Sequence, residues 1–148
     1  MELKNILNEQ VISTSLKGRT KEEIIKELLE ILVATGQVSD ANSAFEDLME
    51  REQKMSTGIQ HGVAIPHAKT KSVKKLMACI GIKKEGVDFA SLDGELSKIF
   101  IMTLSPIDRV GPHVQFLAEI SMVIKTQKAR EAILEAKTTK EVLAVFGL

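Results

Sequence analysis

The chain contains no tryptophan and no tyrosine, and five phenylalanines make up its whole Phe/Trp/Tyr complement. Modules that grip single-stranded nucleic acid use aromatic stacking platforms, which this chain can barely supply. Its 20 basic and 20 acidic residues cancel, which argues against a binder of phosphate backbones. One cysteine, Cys79, excludes both an intramolecular disulfide and a Cys-rich zinc site. It lies in the apolar run Leu76-Met77-Ala78-Cys79-Ile80-Gly81-Ile82, where a buried small hydrophobe is the expected role. No segment is long and apolar enough to span a bilayer, so no membrane insertion is expected. Met1-Glu2-Leu3-Lys4-Asn5 lacks the charged-then-apolar plan of a signal peptide. The expected compartment is the cytoplasm, with no nucleic-acid partner.

What is present suits one ordinary domain spanning residues 1–148, with 44% hydrophobic residues to build an aliphatic core. Thr20-Lys21-Glu22-Glu23 reads as a capping box. Ile24, Ile25, Leu28, Leu29, Ile31 and Leu32 follow at helical spacing, and Gly36 is a suitable stop, which predicts a helix over 20–35. A second helix opens at Ser39 or Asp40, carries Ala44, Phe45, Leu48 and Met49 on its apolar face, and ends before Gly58. Val11 to Leu16 is rich in β-branched residues and reads as a strand.

The middle of the chain changes character. Val63 to Ile65, Lys75 to Lys83 and Lys98 to Leu104 are short apolar runs bounded by Gly, Pro and charge, the pattern of buried strands. Gly86 and Ser91-Leu92-Asp93-Gly94 supply turn chemistry between the last two, with Val87-Asp88-Phe89 as a short edge strand. After a loop from Ser105 to Pro112 a helix is expected with Val114, Phe116, Leu117, Ile120, Val123 and Ile124 facing inward. Thr126 caps a further helix to about Ala136, and Thr138 or Thr139 caps a last one to Phe146. The fold class is α/β: a mixed sheet flanked by helices on both faces.

Two of the three histidines fall in Gly58-Ile59-Gln60-His61-Gly62-Val63-Ala64-Ile65-Pro66-His67-Ala68. An imidazole there could carry a proton, a metal or a phosphoryl group. Pro66 cannot donate to a ladder, so it ends the strand and places His67 at its exit. Gly58 and Gly62 allow a tight turn or a close approach to a ligand. Taken alone, His67 is equally a half-buried histidine in a turn. His61 would share a face with His67 only if the segment were regularly extended, and a surface position suits it better. His113 follows Gly111-Pro112 at a helix start, where the positive end of the dipole favours a neutral ring, and taken alone it is equally a simple helix-start residue. Arg51, at the end of the second helix, is either a solvated side chain or a fork for phosphate oxygens.

Together these residues resemble the EIIA domains of the bacterial phosphoenolpyruvate-dependent sugar phosphotransferase system. The likeness is to the mannitol/fructose class, which includes the nitrogen-regulatory EIIA paralogues. The signature from Gly58 to Ala68, Arg51-Glu52 upstream and His113 before an apolar helical run carry it, and it spans nearly the whole chain. The resemblance implies that His67 is the phosphorylated nucleophile, with His113 and Arg51 as the other active-site residues. It assigns no role to His61. It implies phospho-HPr as donor and a cysteine of an EIIB domain as acceptor, with no cofactor and no metal. His113 would donate to the phosphoryl oxygens and Arg51 would offset their charge. Catalysis would consist of positioning and charge stabilisation. Met55, Ile59 and Val110 are candidates for an apolar partner surface.

Two rivals follow. In the first, a nitrogen-regulatory type, the phosphorylation state signals to target proteins without feeding a sugar permease. In the second, His61, His67 and His113 would hold the metal of a hydrolase; three-histidine zinc sites exist, but no His-x-His or His-Glu-x-x-His spacing is present.

Overall fold

The computed structural model describes residues 3–148; the first two residues of the stretch read above for a targeting signal lie outside them. After two 3-10 turns, Leu3–Asn5 and Glu9–Val11, the order is β1 (Ile12–Ser13), α1 (Lys21–Val33), α2 (Ala41–Lys54), β2 (Val63–Ala64), β3 (His67–Lys69), β4 (Met77–Val87), β5 (Ser97–Ser105), α3 (Gly111–Ile124), α4 (Gln127–Glu135) and α5 (Thr139–Val145). Among the described residues no helix is long and apolar enough to cross a membrane.

Side-chain caps set most helix starts. The Thr20 hydroxyl accepts the Glu23 amide at 3.2 Å, while the Glu23 carboxylate reaches one residue past the cap, to the Arg19 amide at 2.9 Å. Of the two caps open for α2, Asp40 takes the role by accepting the Ser43 amide at 3.0 Å. Ser39 instead donates to the Ser72 carbonyl at 3.2 Å. Thr126 and Thr138 cap α4 and α5. At α3 no side chain caps the N-terminus, but Pro112 lies in the first turn, where its missing N–H is not needed.

The five-stranded sheet runs β1-β4-β5-β2, with β3 also on β5. β1 is parallel to β4, β4 antiparallel to β5, and both β2 and β3 parallel to β5, so the sheet is mixed. From Met77 to Ile82 every residue of β4 is buried, and β5 is buried at every position but Lys98. Consecutive burial along a strand means that both faces are covered. α1 covers one face with Ile24, Ile25, Leu28, Leu29 and Leu32, all in a core that also holds Ile80, Phe100, Phe116 and Ile133. Cys79 belongs to that core, where burial pushes its thiol pKa up.

Four expectations change. The strand read over 11–16 shrinks to Ile12–Ser13, because Glu9–Val11 winds as a 3-10 turn with Asn8 as its cap. Gly86 lies inside β4, at a register shift between Ile82 and Val87. The edge strand read over 87–89 stops at Val87: the Asp88 carboxylate accepts the Ala90 amide at 2.9 Å and turns the chain. On α3 Phe116, Ile120 and Ile124 are buried and Leu117 and Val123 pack partly buried against the core, whereas Val114 is 57% exposed. The fully buried positions recur every fourth residue, and of the six expected inside only Val114 leaves the stripe.

Candidate functional site

His67 does not leave the sheet. It begins a new strand on the same neighbour. Val63 pairs with Ile99 and His67 with Thr103, so each advances by four and the register passes unchanged across Ile65-Pro66. Pro66 costs the ladder one donor but keeps its acceptor: its carbonyl takes the Thr103 amide at 3.0 Å. The break lets the Ile65 carbonyl meet the His67 ring, with Nδ1 at 2.9 Å. A carbonyl only accepts, so Nδ1 carries the proton, and in the neutral ring Nε2 holds the free lone pair.

The chain reaches this point through a tight turn. Gln60 to Val63 closes with the Val63 amide on the Gln60 carbonyl at 3.2 Å. His61 and Gly62 have φ of 58° and 77°, the left-handed pair of a type I′ turn. His61 is therefore exposed at a turn position, and its amide donates to Asp93 Oδ2 at 3.1 Å. That bond helps hold the Asp93 carboxyl below its usual range, after the larger contribution of the Glu95 amide. Gly58 makes its close approach to protein: a Cβ there would collide with Ser91 Oγ and sit 3.1 Å from Phe89 Cβ.

Arg51 and His67 line one open cleft of about 340 Å³, with Asp47, Glu50, Lys54, Ala68 and Lys69. One Arg51 nitrogen donates to the Met55 carbonyl at 2.8 Å, which ties the guanidinium to the end of its own helix. Beside Arg51, Glu52 is buried. It accepts Lys21 Nζ at 3.0 Å, the Thr57 amide at 2.8 Å and the Thr57 hydroxyl at 2.5 Å. The Thr57 carbonyl in turn accepts the Ile65 amide at 3.0 Å. A chain of bonds thus runs from the end of α2 to the residue that orients His67.

His113, 46 residues downstream in sequence, lies tilted against His67 with ring centroids 5.2 Å apart and planes at 36°. Its Nδ1 lies 3.2 Å from Thr103 Oγ1. Its pKa is held below the usual histidine value by burial first, then by the nearby charges of His67 and Lys69. The neutral ring expected from the helix dipole is thus favoured chiefly by desolvation.

The fold brings together His67, His113 and Arg51, and leaves His61 apart at the turn. Sequence reasoning missed Thr103 and Lys69, and named Glu52 only as the neighbour of Arg51, without a role. Thr103 had a visible signal: it is the one polar residue in Ile99-Phe100-Ile101-Met102-Thr103-Leu104. Lys69 had one too, two positions after His67 on the same face of an extended segment. For the partner surface, Met55 and Val110 are 64% and 47% exposed, but Ile59 packs partly buried against the core and drops out. Among the described residues no three His, Cys, Asp or Glu side chains converge as metal ligands, so nothing there favours the hydrolase reading.

A mixed sheet that presents His67 beside His113 of α3, in a cleft shared with Arg51 of α2, defines a class: an α/β domain with a candidate histidine-centred site. The sequence matches the family described as phosphoenolpyruvate-dependent sugar phosphotransferase system, EIIA 2, over residues 5–147, and the chain belongs to that family. It is 35% identical over 138 residues to the fructose-specific EIIA component of Haloferax volcanii, covering 93% of this chain and 90% of that one. The fructose-specific EIIABC component of Bacillus subtilis is 30% identical over 147 residues; the match takes in 99% of this chain but 23% of that longer protein. The crystal structure of nitrogen regulatory protein IIA-Ntr from Neisseria meningitidis superposes with a TM-score of 0.90 at 26% identity, covering 97% of this chain and 98% of that one.

Proposed function

We propose that this EIIA domain is a phosphohistidine carrier of the fructose/mannitol type, with His67 as the group that is phosphorylated. The observation that carries the reading is the bond from His67 Nδ1 to the Ile65 carbonyl at 2.9 Å, which leaves Nε2 as a nucleophile in a cleft shared with Arg51. The His67 Nε2 lone pair forms a new N–P bond while the N–P bond to the histidine of phospho-HPr breaks and its electron pair returns to that nitrogen. In the second half-reaction a cysteine thiolate of an EIIB domain attacks the same phosphorus, the His67 N–P bond breaks and Nε2 regains its lone pair. The EIIABC designation of the Bacillus subtilis relative supports an EIIB acceptor. Arg51 supplies positive charge to the phosphoryl oxygens and His113 a hydrogen bond, so the site works by positioning and electrostatics.

A second reading has its own support. The likeness to IIA-Ntr favours a domain whose phosphorylation state is read by target proteins. The chemistry at His67 is the same in both, and transfer onward to an EIIB domain separates them.

The test is to incubate the protein with phosphoenolpyruvate, Enzyme I and HPr and to look for an acid-labile, base-stable phosphate. The label should vanish in a folded His67→Ala variant. In His113→Ala it should form at least tenfold more slowly, as for loss of one donor to a charged transition state. Equal labelling of His67→Ala would sink the proposal.

A further inference from the structure

We infer that Thr103 is a positioning residue that fixes the tautomer of His113, so that the two histidines of the site are held in opposite tautomers. The functional half of this inference rests on the phosphocarrier reading; the tautomer itself does not.

Thr103 sits near the C-terminal end of β5, 1% exposed, as the register partner of His67. Its hydroxyl has one proton to give, and its partner among the described residues is His113 Nδ1 at 3.2 Å. Two arrangements satisfy that distance. If Nδ1–H donated, the hydroxyl would only accept, and its own proton would be left buried with no acceptor among the described residues. Buried donors are very rarely left so. If the hydroxyl donates, Nδ1 accepts and both groups are satisfied. The proton of neutral His113 then resides on Nε2, the ring edge turned away from Thr103.

His67 is held the other way round. The Ile65 carbonyl takes its Nδ1–H and leaves Nε2 bare. One ring therefore presents a lone pair and its neighbour, 5.2 Å away between centroids, presents an N–H. That is the complementary pair a transferred phosphoryl group needs: a nucleophile for phosphorus and a donor for an oxygen. Burial disfavours the imidazolium form of His113, so a donor that survives without a positive charge matters here. A hydroxyl at 103 secures it, and the bond also limits rotation of the ring about its own axis.

The experiment uses the full chain with 15N-labelled histidine, at a pH where the rings are neutral. Two-bond 1H–15N correlations report the tautomer of each ring directly. Wild type and Thr103→Ser should show His113 as the Nε2–H form. Thr103→Val keeps shape and strand preference but cannot donate, and should show His113 mixed or shifted to Nδ1–H. Initial rates of labelling by phospho-HPr should fall roughly tenfold in Thr103→Val, with little change in the KM for the donor, and recover in Thr103→Ser. An Nδ1–H tautomer for His113 in wild type overturns the inference, whether or not the valine variant folds. So does a folded valine variant with unchanged tautomer and rate. Failure of wild type to take label at His67 would instead overturn the carrier reading, and the wild-type tautomer would still decide the assignment to Thr103.

Discussion

Glu52 shows how much of the site is held from outside it. Its carboxylate is buried and accepts from Lys21 and twice from Thr57, whose carbonyl secures the Ile65 amide. Replacing it with alanine strips a charge from its partner and leaves the Thr57 donors unpaired. Such losses cost about 1–3 kcal/mol for each buried donor and about 3–5 kcal/mol for a fully buried ion pair. Lys21 keeps some access to water, with its side chain 25% exposed, so the expected loss for Glu52→Ala is about 2–4 kcal/mol. A shift of the urea midpoint with unchanged slope would report it; a shift below about 1 kcal/mol would show that Lys21 and Thr57 find water instead.

Among the elements, β4 meets α1 with little room to spare. Gly81 lies where α1 meets the sheet: a Cβ there would come within 2.6 Å of Leu16 Cδ1 and 2.8 Å of Leu28 Cδ2. Both neighbours are ends of flexible side chains, so Gly81→Ala is expected to fold and to cost about 1–3 kcal/mol through overpacking. Thermal unfolding checks this, and a variant as stable as wild type would mean that Leu16 has room to swing aside. β2 and β3 illustrate a different economy. Pro66 divides one extended path into two short strands without shifting their register on β5. The interruption frees the Ile65 carbonyl for the His67 ring, a task it could not perform as a regular member of the ladder.

For the molecule as a whole, His113 ties stability to pH. Burial disfavours its charged form in the folded state, so the unfolded chain takes up this proton at a higher pH than the folded one. Its contribution is complete above the ordinary histidine value of about 6.5 and is lost as pH falls through the lowered folded value. Acidification through that window should therefore destabilise wild type more than His113→Gln. Denaturation midpoints of both proteins across pH 5 to 8, a range chosen about the histidine value, test it. Parallel curves would mean that the folded ring titrates normally.

Much of this was legible in the chain before folding, where the physics is local. Thr20, Thr126 and Thr138 announce helix starts because a cap needs only a hydroxyl and the amide three residues on. Pro66 announces a break at His67 because a missing N–H is a property of one residue. Leu28 and Leu32 face the core because helical spacing leaves them no alternative. Other features stayed hidden because they depend on contacts across the fold. Val114 matches the helical pattern yet is exposed, since the stripe that α3 buries is set by what it packs against. The capping choice between Ser39 and Asp40 was decided by Ser72, 33 residues away. By itself, then, the sequence determined the helices, the apolar strands, the family and the identity of three candidate site residues, because those follow from side-chain type and near-neighbour spacing. Only the tertiary structure decided that Thr103, the strand partner of His67, bonds His113, that Glu52 anchors the segment leading to His67 and which His67 nitrogen is free. Each of those is a distance between residues that the chain itself keeps apart.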